Sequence, residues 1–372
     1  MFVSDIPTPA LVIDAAALDR NIRRMAAFFA GGPCRLRPHF KAHKTPEIAR
    51  RQLAAGSCAG LTCATVGEAE VVASLCDDIL IANEVIGAAK CARVAATARA
   101  LHDSRGGSAA VTVAVDSRTG LEQLAAAARA AGVVVGVLVD INVGQNRCGV
   151  ASADEALDLA RQATTFAGLA LRGVMGYEGH AQPLRERQSR EEAAGGAMRT
   201  LVAVAERLRS AGLPCEIVSA GGTGTFDLSG RVKGVTEIQA GSYALMDADY
   251  AGVGVPFEQA VWVLGTVVSR PAADRCVADC GHKSATKDHG MPVVHGIPGA
   301  AISALNDEHA VIALPIDSPV RVGDRVRLVP SHVDPTSNLH DVFFVIDGDL
   351  VVGTWPIEGR GYPEHRTAGT RR

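Results

Sequence analysis

Three groups of residues in this chain have the types and spacing to do chemistry. The first is RLRPHFKAHKTP at 35–46, where Lys41 lies between His39 and His43, just before a helix start at Thr45-Pro46. An apolar run ends there. Read as a strand, it places the two histidines on the lysine's face by alternation. A lysine aimed into a protein interior is costly unless it is solvated, paired or used covalently. The second group is glycine-rich: AGGTGT at 220–225 and GSY at 241–243, small residues that expose backbone N–H groups to a phosphate. Each loop taken alone also reads as an ordinary turn. Lysine beside a phosphate cup points to pyridoxal 5'-phosphate (PLP) held as a Schiff base. The alternative is a lysine that binds the phosphate as a point charge. The third group is His332 and Asp334 in PSHVDPT. Two apart on a strand, they would face the same way. An imidazole and a carboxylate suit a divalent cation with open positions, although a lone histidine-x-aspartate is more often structural.

The elements that must position these groups follow a repeating pattern. Apolar, β-branched runs occur at 35–41, 59–65, 78–83, 109–117, 134–142, 170–177, 215–222 and 237–244. Amphipathic segments at 45–55, 68–75, 88–100, 121–131 and 191–211 fill most of the intervals. Strands joined by helical crossovers imply a parallel sheet covered on both faces. Eight is the number that closes a TIM-type (β/α)8 barrel, with an open doubly wound sheet as the runner-up. An earlier strand at 9–13 precedes a helix at 15–29 capped by Asp14.

From about Phe257 helical periodicity fades, and segments at 261–270, 275–279, 301–306, 309–314, 325–329 and 342–354 read as strands joined by short turns. The expected α/β organisation is therefore a PLP-binding barrel over 15–250. A β-strand-rich domain over 251–372 carries the metal pair and is joined by the N-terminal strand at 1–14. In such a barrel the chemistry collects at the C-terminal strand ends. Those ends carry Lys41, Thr65, Asn83, Asp116, Asp140, Asn142 with Arg147, Tyr177, Gly221 to Thr223, and Gly241 to Tyr243. The two glycine loops follow strands seven and eight, where barrel phosphate sites commonly lie.

Bulk properties exclude several classes. A net charge of −3 leaves no electrostatic footprint for nucleic acid, and the short basic tail at Arg366 and Arg371-Arg372 reads as frayed chain. No apolar run is long enough to span a bilayer, and residues 1–15 lack the pattern of a signal peptide, so a membrane role is not expected. Nine dispersed cysteines favour reduced thiols and a cytoplasmic location. Cys276 and Cys280 form the one closely spaced candidate pair for zinc, in a strand-like context.

A family resemblance adds to this. PALVID, PHFKAHKTPEIARRQLAAG, VDINVGQNRCG, GYEGH, GGTGT, EIQAGSYALMD and SHVDPTSNLHD occur in that order from about residue 7 to 360. Together they resemble the D-threonine aldolase and D-serine dehydratase family, fold-type III PLP enzymes with an alanine racemase-like barrel. The resemblance implies a PLP-bearing barrel, a β domain and a homodimer. It matches Lys41 to the cofactor lysine, and Gly222, Thr223, Gly241 and Ser242, with Tyr243 beside them, to the phosphate cup. It places Tyr177 near the pyridine nitrogen and Arg147 close to the cofactor. It makes His332 and Asp334 the metal pair, with aspartate at the second position marking the aldolase branch and Mn2+ or Mg2+ rather than Zn2+. Ala64 and Thr65 depart from the glutamine-bearing stretch of some aldolases. His340-Asp341 and the polar turn Asp307–His309 lie where they could support the site or simply sit in turns. The implied activity is a carbon–carbon lyase that cleaves D-β-hydroxy-α-amino acids, D-threonine giving glycine and acetaldehyde. The rivals are dehydration of D-serine or D-threo-3-hydroxyaspartate, and D-3-hydroxyaspartate aldol cleavage, on the same site.

Overall fold

The computed structural model describes residues 1–105 and 110–362. The basic tail at Arg366 to Arg372 lies outside them. The chain opens with β1 (Ala10–Asp14) and α1 (Ala15–Phe29). Asp14 caps this helix, its Oδ1 accepting the Ala17 N–H at 2.8 Å.

Eight strands then alternate with helices. They are β2 (Arg35–Leu36), β3 (Leu61–Cys63), β4 (Asp78–Glu84), β5 (Ala110–Val115), β6 (Val135–Asp140), β7 (Leu169–Gly176), β8 (Ile217–Ala220) and β9 (Glu237–Ile238). The helices are α2 (Pro46–Ala54), α3 (Val66–Val72), α4 (Ala88–Arg105), α5 (Arg118–Ala131), α6 (Ala153–Thr165), α7 (Arg187–Ser210) and the short α8 (Phe226–Ser229). Helix starts are set by local chemistry: Thr65, Ser117 and Ser152 each accept a backbone N–H of the first turn of α3, α5 and α6. Each such cap contributes about 1 kcal/mol.

The strands are all parallel, in the order β2-β9-β8-β7-β6-β5-β4-β3. Parallel bridges Leu36↔Cys58 and His39↔Thr62 bring the first strand alongside the segment leading into β3 and close the ring. Leu80, Ala114, Leu138, Met175 and Ile217, from five adjacent strands, form one buried cluster. Asp140 and Tyr177 lie two residues beyond Leu138 and Met175, so they continue that face towards the C-terminal strand ends.

The outer strands of this series are shorter than the sequence pattern predicts. The run at 35–41 keeps strand pairing only in part. Arg35, Arg37 and His39 N–H groups donate to Thr236, Ile238 and Ala240, while Pro38, having no N–H, offers only its carbonyl, to Thr62. The chain then tightens into a 3-10 turn, Phe40–Ala42, so Lys41 stands on a turn rather than in a strand. The expectation that His39 and His43 share its face by alternation is corrected accordingly. The run at 237–244 likewise ends at Ile238 and enters a 3-10 turn, Ser242–Ala244.

The remaining strands are antiparallel apart from one pair. They are β10 (Val261–Ala272), β11 (Arg275–Ala278), β12 (Val293–His295), β13 (Ala301–Leu305), β14 (Ala310–Ala313), β15 (Arg325–Val329), β16 (Val342–Asp347) and β17 (Leu350–Pro356). With β1 they order as β13-β14-β11-β10-β1-β16-β17, while β15 pairs with β10 and β12. β1 is antiparallel to β10 and parallel to β16. The run at 342–354 is a hairpin rather than one strand, because Gly348 turns the chain with φ +58°. β12 was not anticipated. Two short helices, α9 (Ala248–Val253) and α10 (Val333–Asn338), complete this part.

The described residues divide into two compact units. One contains Met1–Arg24, Ala42–Ile48 and Ser242–Tyr362; the other contains Met25–Lys41 and Ala49–Gly241. The division therefore falls at 241/242, and segments 1–24 and 42–48 go with the β-rich unit. Among the described residues no helix is long and apolar enough to cross a membrane.

Candidate active site

In the barrel unit, Lys41, Arg147, Tyr177, Gly222, Thr223 and Gly241 all follow C-terminal strand ends. Lys41 is half-buried, and its N–H donates to His39 Nδ1 at 3.4 Å. The loop after β6 is shaped by Asn142, whose Oδ1 accepts the N–H groups of Gly144 and Asn146, both at 3.1 Å. Asn146 takes a left-handed conformation with φ +54°, and the next residue, Arg147, lies over the Tyr177 ring with Cζ 5.6 Å from its centroid. Arg147 and Tyr177 are thus brought together, and with Asp140, Asn142, Gln145 and Cys148 they line one cleft.

The glycine loop after β8 is held by a residue that sequence reasoning had quoted without assigning. Glu178, of GYEGH, is fully buried. Its Oε1 accepts the Thr225 and Ser229 hydroxyls at 2.7 and 2.6 Å, and its Oε2 accepts the Gly221 N–H at 3.1 Å. Gln182 packs into the same loop, taking the Gly224 N–H at 2.8 Å. A Cβ at Gly222 or Gly224 would strike Gln182 at 2.7 or 2.6 Å, which is why glycine stands at both. The Gly222 N–H donates to Thr225 Oγ1 at a long 3.3 Å, and Thr223 is almost fully buried. This loop is held by hydrogen bonds with the protein's own side chains.

Asp140 is buried at the end of β6. Burial first, then the neighbouring Glu84 and Asp116, push its carboxyl up to about 8, against the pull of Arg147. Glu84, Asp116 and Cys148 offer ligand atoms within 4.8 Å of one another. Cys148 is exposed, yet partial desolvation and the neighbouring Glu84 push its thiol up, so it stays protonated near neutrality.

In the β-rich unit, His332 and Asp334 are also brought together, although not by strand alternation. β15 ends at Val329, His332 is the residue preceding α10, and Asp334 lies in that helix's first turn. His332 Nε2 and Asp334 Oδ2 are 4.0 Å apart. That is too long for a hydrogen bond and leaves space between the two atoms for an ion. Three acidic residues unassigned by sequence reasoning surround the pair. Asp288 Oδ2 lies 2.6 Å from His332 Nδ1, and His289 stacks on His332 with centroids 4.0 Å apart and planes at 11°. Asp249 Oδ2 is 3.0 Å from His289 Nδ1. Asp247 is fully buried and accepts the Val333 and Tyr250 N–H groups at 3.0 and 2.9 Å. Burial pushes its carboxyl up to about 6 in spite of those bonds. Ser242 donates to Asp334 Oδ1 at 3.4 Å. Tyr243, by contrast, is fully buried against Phe257, with centroids 5.4 Å apart, so its ring is core.

Other candidates have partners outside these two groups. His340 Nε2 lies 2.8 Å from the Ser284 carbonyl, and burial lowers its basicity. Asp307 and Glu308 face Lys283 at 4.0 and 2.8 Å. Cys276 and Cys280 are fully buried, and burial pushes the Cys280 thiol up to about 12.

The barrel's set fits PLP: a primary amine for a carbonyl, a guanidinium and a phenol side by side for a ring, and a rigid glycine loop for a phosphate. The set in the β-rich unit fits a hard divalent cation, since its donors are carboxylates and imidazole without thiolate.

Comparison with known proteins bears on the fold and the family. The family described as alanine racemase, N-terminal domain, matches residues 13–249, and a serine dehydratase domain matches residues 260–346. A D-threonine aldolase of Arthrobacter sp. is 42% identical over 363 residues, covering 96% of this chain and 93% of that protein. A 3-hydroxy-D-aspartate aldolase of Paracoccus denitrificans (strain Pd 1222) is 34% identical over 368 residues, covering 96% and 93%. The crystal structure of D-threonine aldolase from Filomicrobium marinum superposes with a TM-score of 0.91 at 38% identity, covering 96% of each chain.

An eight-stranded parallel barrel with a lysine and a glycine loop at its C-terminal rim, together with an antiparallel unit, defines the fold-type III PLP-dependent enzymes. Within that class the chain belongs to the D-threonine aldolase and D-serine dehydratase-like family, and it is a PLP-dependent lyase.

Proposed function

We propose that this lyase cleaves the Cα–Cβ bond of D-β-hydroxy-α-amino acids with the help of Mn2+ or Mg2+, converting D-threonine to glycine and acetaldehyde. The observation that carries this reading is Asp334 beside His332 in oxygen-rich surroundings, a donor set for a hard cation able to hold a hydroxyl. The names of the aldolase relatives support it.

In this reading Lys41 would hold the cofactor covalently through its amino group. The 221–225 loop, kept rigid by Glu178, receives the phosphate, while Arg147 and Tyr177 orient the ring. Bound PLP supplies an electron sink for the carbanion left when the bond breaks. His332 and Asp334 hold the cation, whose contribution is to lower the pKa of the substrate's β-hydroxyl. The same residues would serve a substrate with a β-carboxylate, so D-3-hydroxyaspartate is a second candidate substrate. The serine dehydratase domain match keeps elimination from D-serine or D-threo-3-hydroxyaspartate as the rival reaction. Assembly as a homodimer is part of the proposal, checked by analytical ultracentrifugation.

The test is to incubate metal-loaded and chelated enzyme with D-threonine, D-serine and D-3-hydroxyaspartate. Glycine and an aldehyde should form only with metal. Ammonia and a keto acid would replace the aldolase reading with the dehydratase one.

A further inference from the structure

We infer that Asp288 is a positioning residue for the metal site: it holds the His332 ring so that Nε2, and not Nδ1, is the ligating nitrogen. The inference rests on the proposed metal role of His332 and Asp334 and adds a residue to it.

Asp288, His289 and His332 offer ligand atoms within 4.8 Å of one another, and the shortest of their contacts favours a positioning role for Asp288. Asp288 Oδ2 lies 2.6 Å from His332 Nδ1, a charge-assisted hydrogen-bond distance. Two ligands at about 2.1 Å from one ion and at right angles to each other lie roughly 3 Å apart, so 2.6 Å is too close for two donors to share a cation comfortably. Nδ1 is therefore engaged by the carboxylate, and that fixes the tautomer with its proton on Nδ1. Nε2 is left facing Asp334 Oδ2 across the 4.0 Å gap. The ring's remaining freedom is removed by His289, which stacks on it nearly parallel at 4.0 Å and is anchored by Asp249 at 3.0 Å. Asp288 sets the rotation of the imidazole within its plane, and His289 sets the plane. The segment carrying both residues, KDHG at 287–290, lies outside regular structure and follows Thr286, which is bonded to Ser331, His332 and Thr336.

Carboxylate partners of metal-bound histidines typically change metal affinity 10- to 100-fold when removed. The experiment measures Mn2+ binding to the PLP-loaded enzyme directly, from the electron paramagnetic resonance signal of free Mn2+, for wild type, D288A, D288N and H332A. Melting temperature and PLP content are recorded for each. The expected result is Mn2+ affinity about 10- to 100-fold weaker in D288A, partial rescue in D288N, which keeps an acceptor oxygen, and loss of binding in H332A. Melting temperature and PLP content should be close to wild type in the Asp288 variants. D288A that binds Mn2+ like wild type, while H332A does not, would overturn the inference and leave the metal reading standing. D288N as defective as H332A would make Asp288 a ligand and overturn the positioning role. H332A that binds Mn2+ normally would remove the metal reading itself, and the inference with it.

Discussion

Arg37 grips Glu237 with two parallel hydrogen bonds, Nε to Oε1 and Nη2 to Oε2, both 2.8 Å, and both side chains are almost wholly buried. A third bond runs from Nη1 to Asp78 at 2.9 Å. The ion pair joins the residue just after β2 to the start of β9, and Asp78 adds the start of β4. Arg172 also reaches Asp78 from β7. This end of the barrel lies opposite the lysine and the glycine loop, so the cluster acts on stability. Glu237→Ala strands a buried guanidinium and should cost about 3–5 kcal/mol in denaturant unfolding. A loss under 1 kcal/mol would show that water or Asp78 compensates.

Glu178 makes a different kind of demand. It accepts two hydrogen bonds from the loop that the proposal gives to the phosphate and a third from Ser229 in α8. Glu178→Gln keeps the shape but replaces one acceptor oxygen with a donor facing groups that also donate. Hydrogen bonds to charged groups contribute about 1.5–3 kcal/mol each. The variant should therefore melt earlier and release PLP more readily on dialysis, with weaker PLP binding measured by absorbance titration. Unchanged PLP affinity would detach the loop from the cofactor.

Lys41→Ala should abolish covalent attachment. Borohydride treatment followed by peptide mass spectrometry should show a PLP-modified peptide at 35–46 in wild type and none in the variant, with glycine production at background. A labelled peptide elsewhere would move the anchor to another lysine.

Chelation of wild type should remove glycine production. Mn2+ or Mg2+ should restore it better than Zn2+, because the donor pair contains no thiolate. His332→Ala and Asp334→Ala should each fail to respond to added metal. Full restoration by Zn2+ alone would reverse the metal assignment.

Asp140 yields a pH prediction. Its carboxyl is raised from an ordinary 3.8 to about 8 in the folded chain, so the folded state holds this proton more tightly than the unfolded one does. Its contribution is fully present below pH 4 and fades as pH rises towards 8, where a buried charge must be carried. The melting temperature of Asp140→Asn relative to wild type should therefore climb between pH 4 and 9. A constant difference across that range would mean that Asp140 titrates normally.

The alternation of apolar runs and amphipathic helices made the barrel legible, because each of its eight strands leaves an apolar signature bounded by turn residues. The strand lengths were less legible. A single proline, Pro38, and the turns at 40–42 and 242–244 end pairing where side-chain hydrophobicity continues. His332 and Asp334 were found by residue type and family motif, while the reason given for their proximity, strand alternation, was replaced by a helix start. Asp288, His289, Asp249 and Glu84 carry no local signal, since they meet their partners only through tertiary contacts. Glu178 and Asp247 lay inside quoted motifs, GYEGH and EIQAGSYALMD, yet nothing in the linear pattern distinguishes a buried carboxylate from a surface one.

β1 lies between β10 and β16, so an interior strand of this sheet comes from residues 10–14 and its neighbours from residues 261–272 and 342–347. On a ribosome β3 to β8 each emerge with the next barrel strand close behind, and of the eight only β2 awaits a distant ladder partner, β9. β1 must instead wait, its apolar edges unpaired, for nearly the whole chain to be synthesised. His332 and Asp334 emerge in the same late stretch. A nascent chain halted after the barrel would thus hold Lys41 and the glycine loop without His332 and Asp334, the two residues that the proposal gives to the cation.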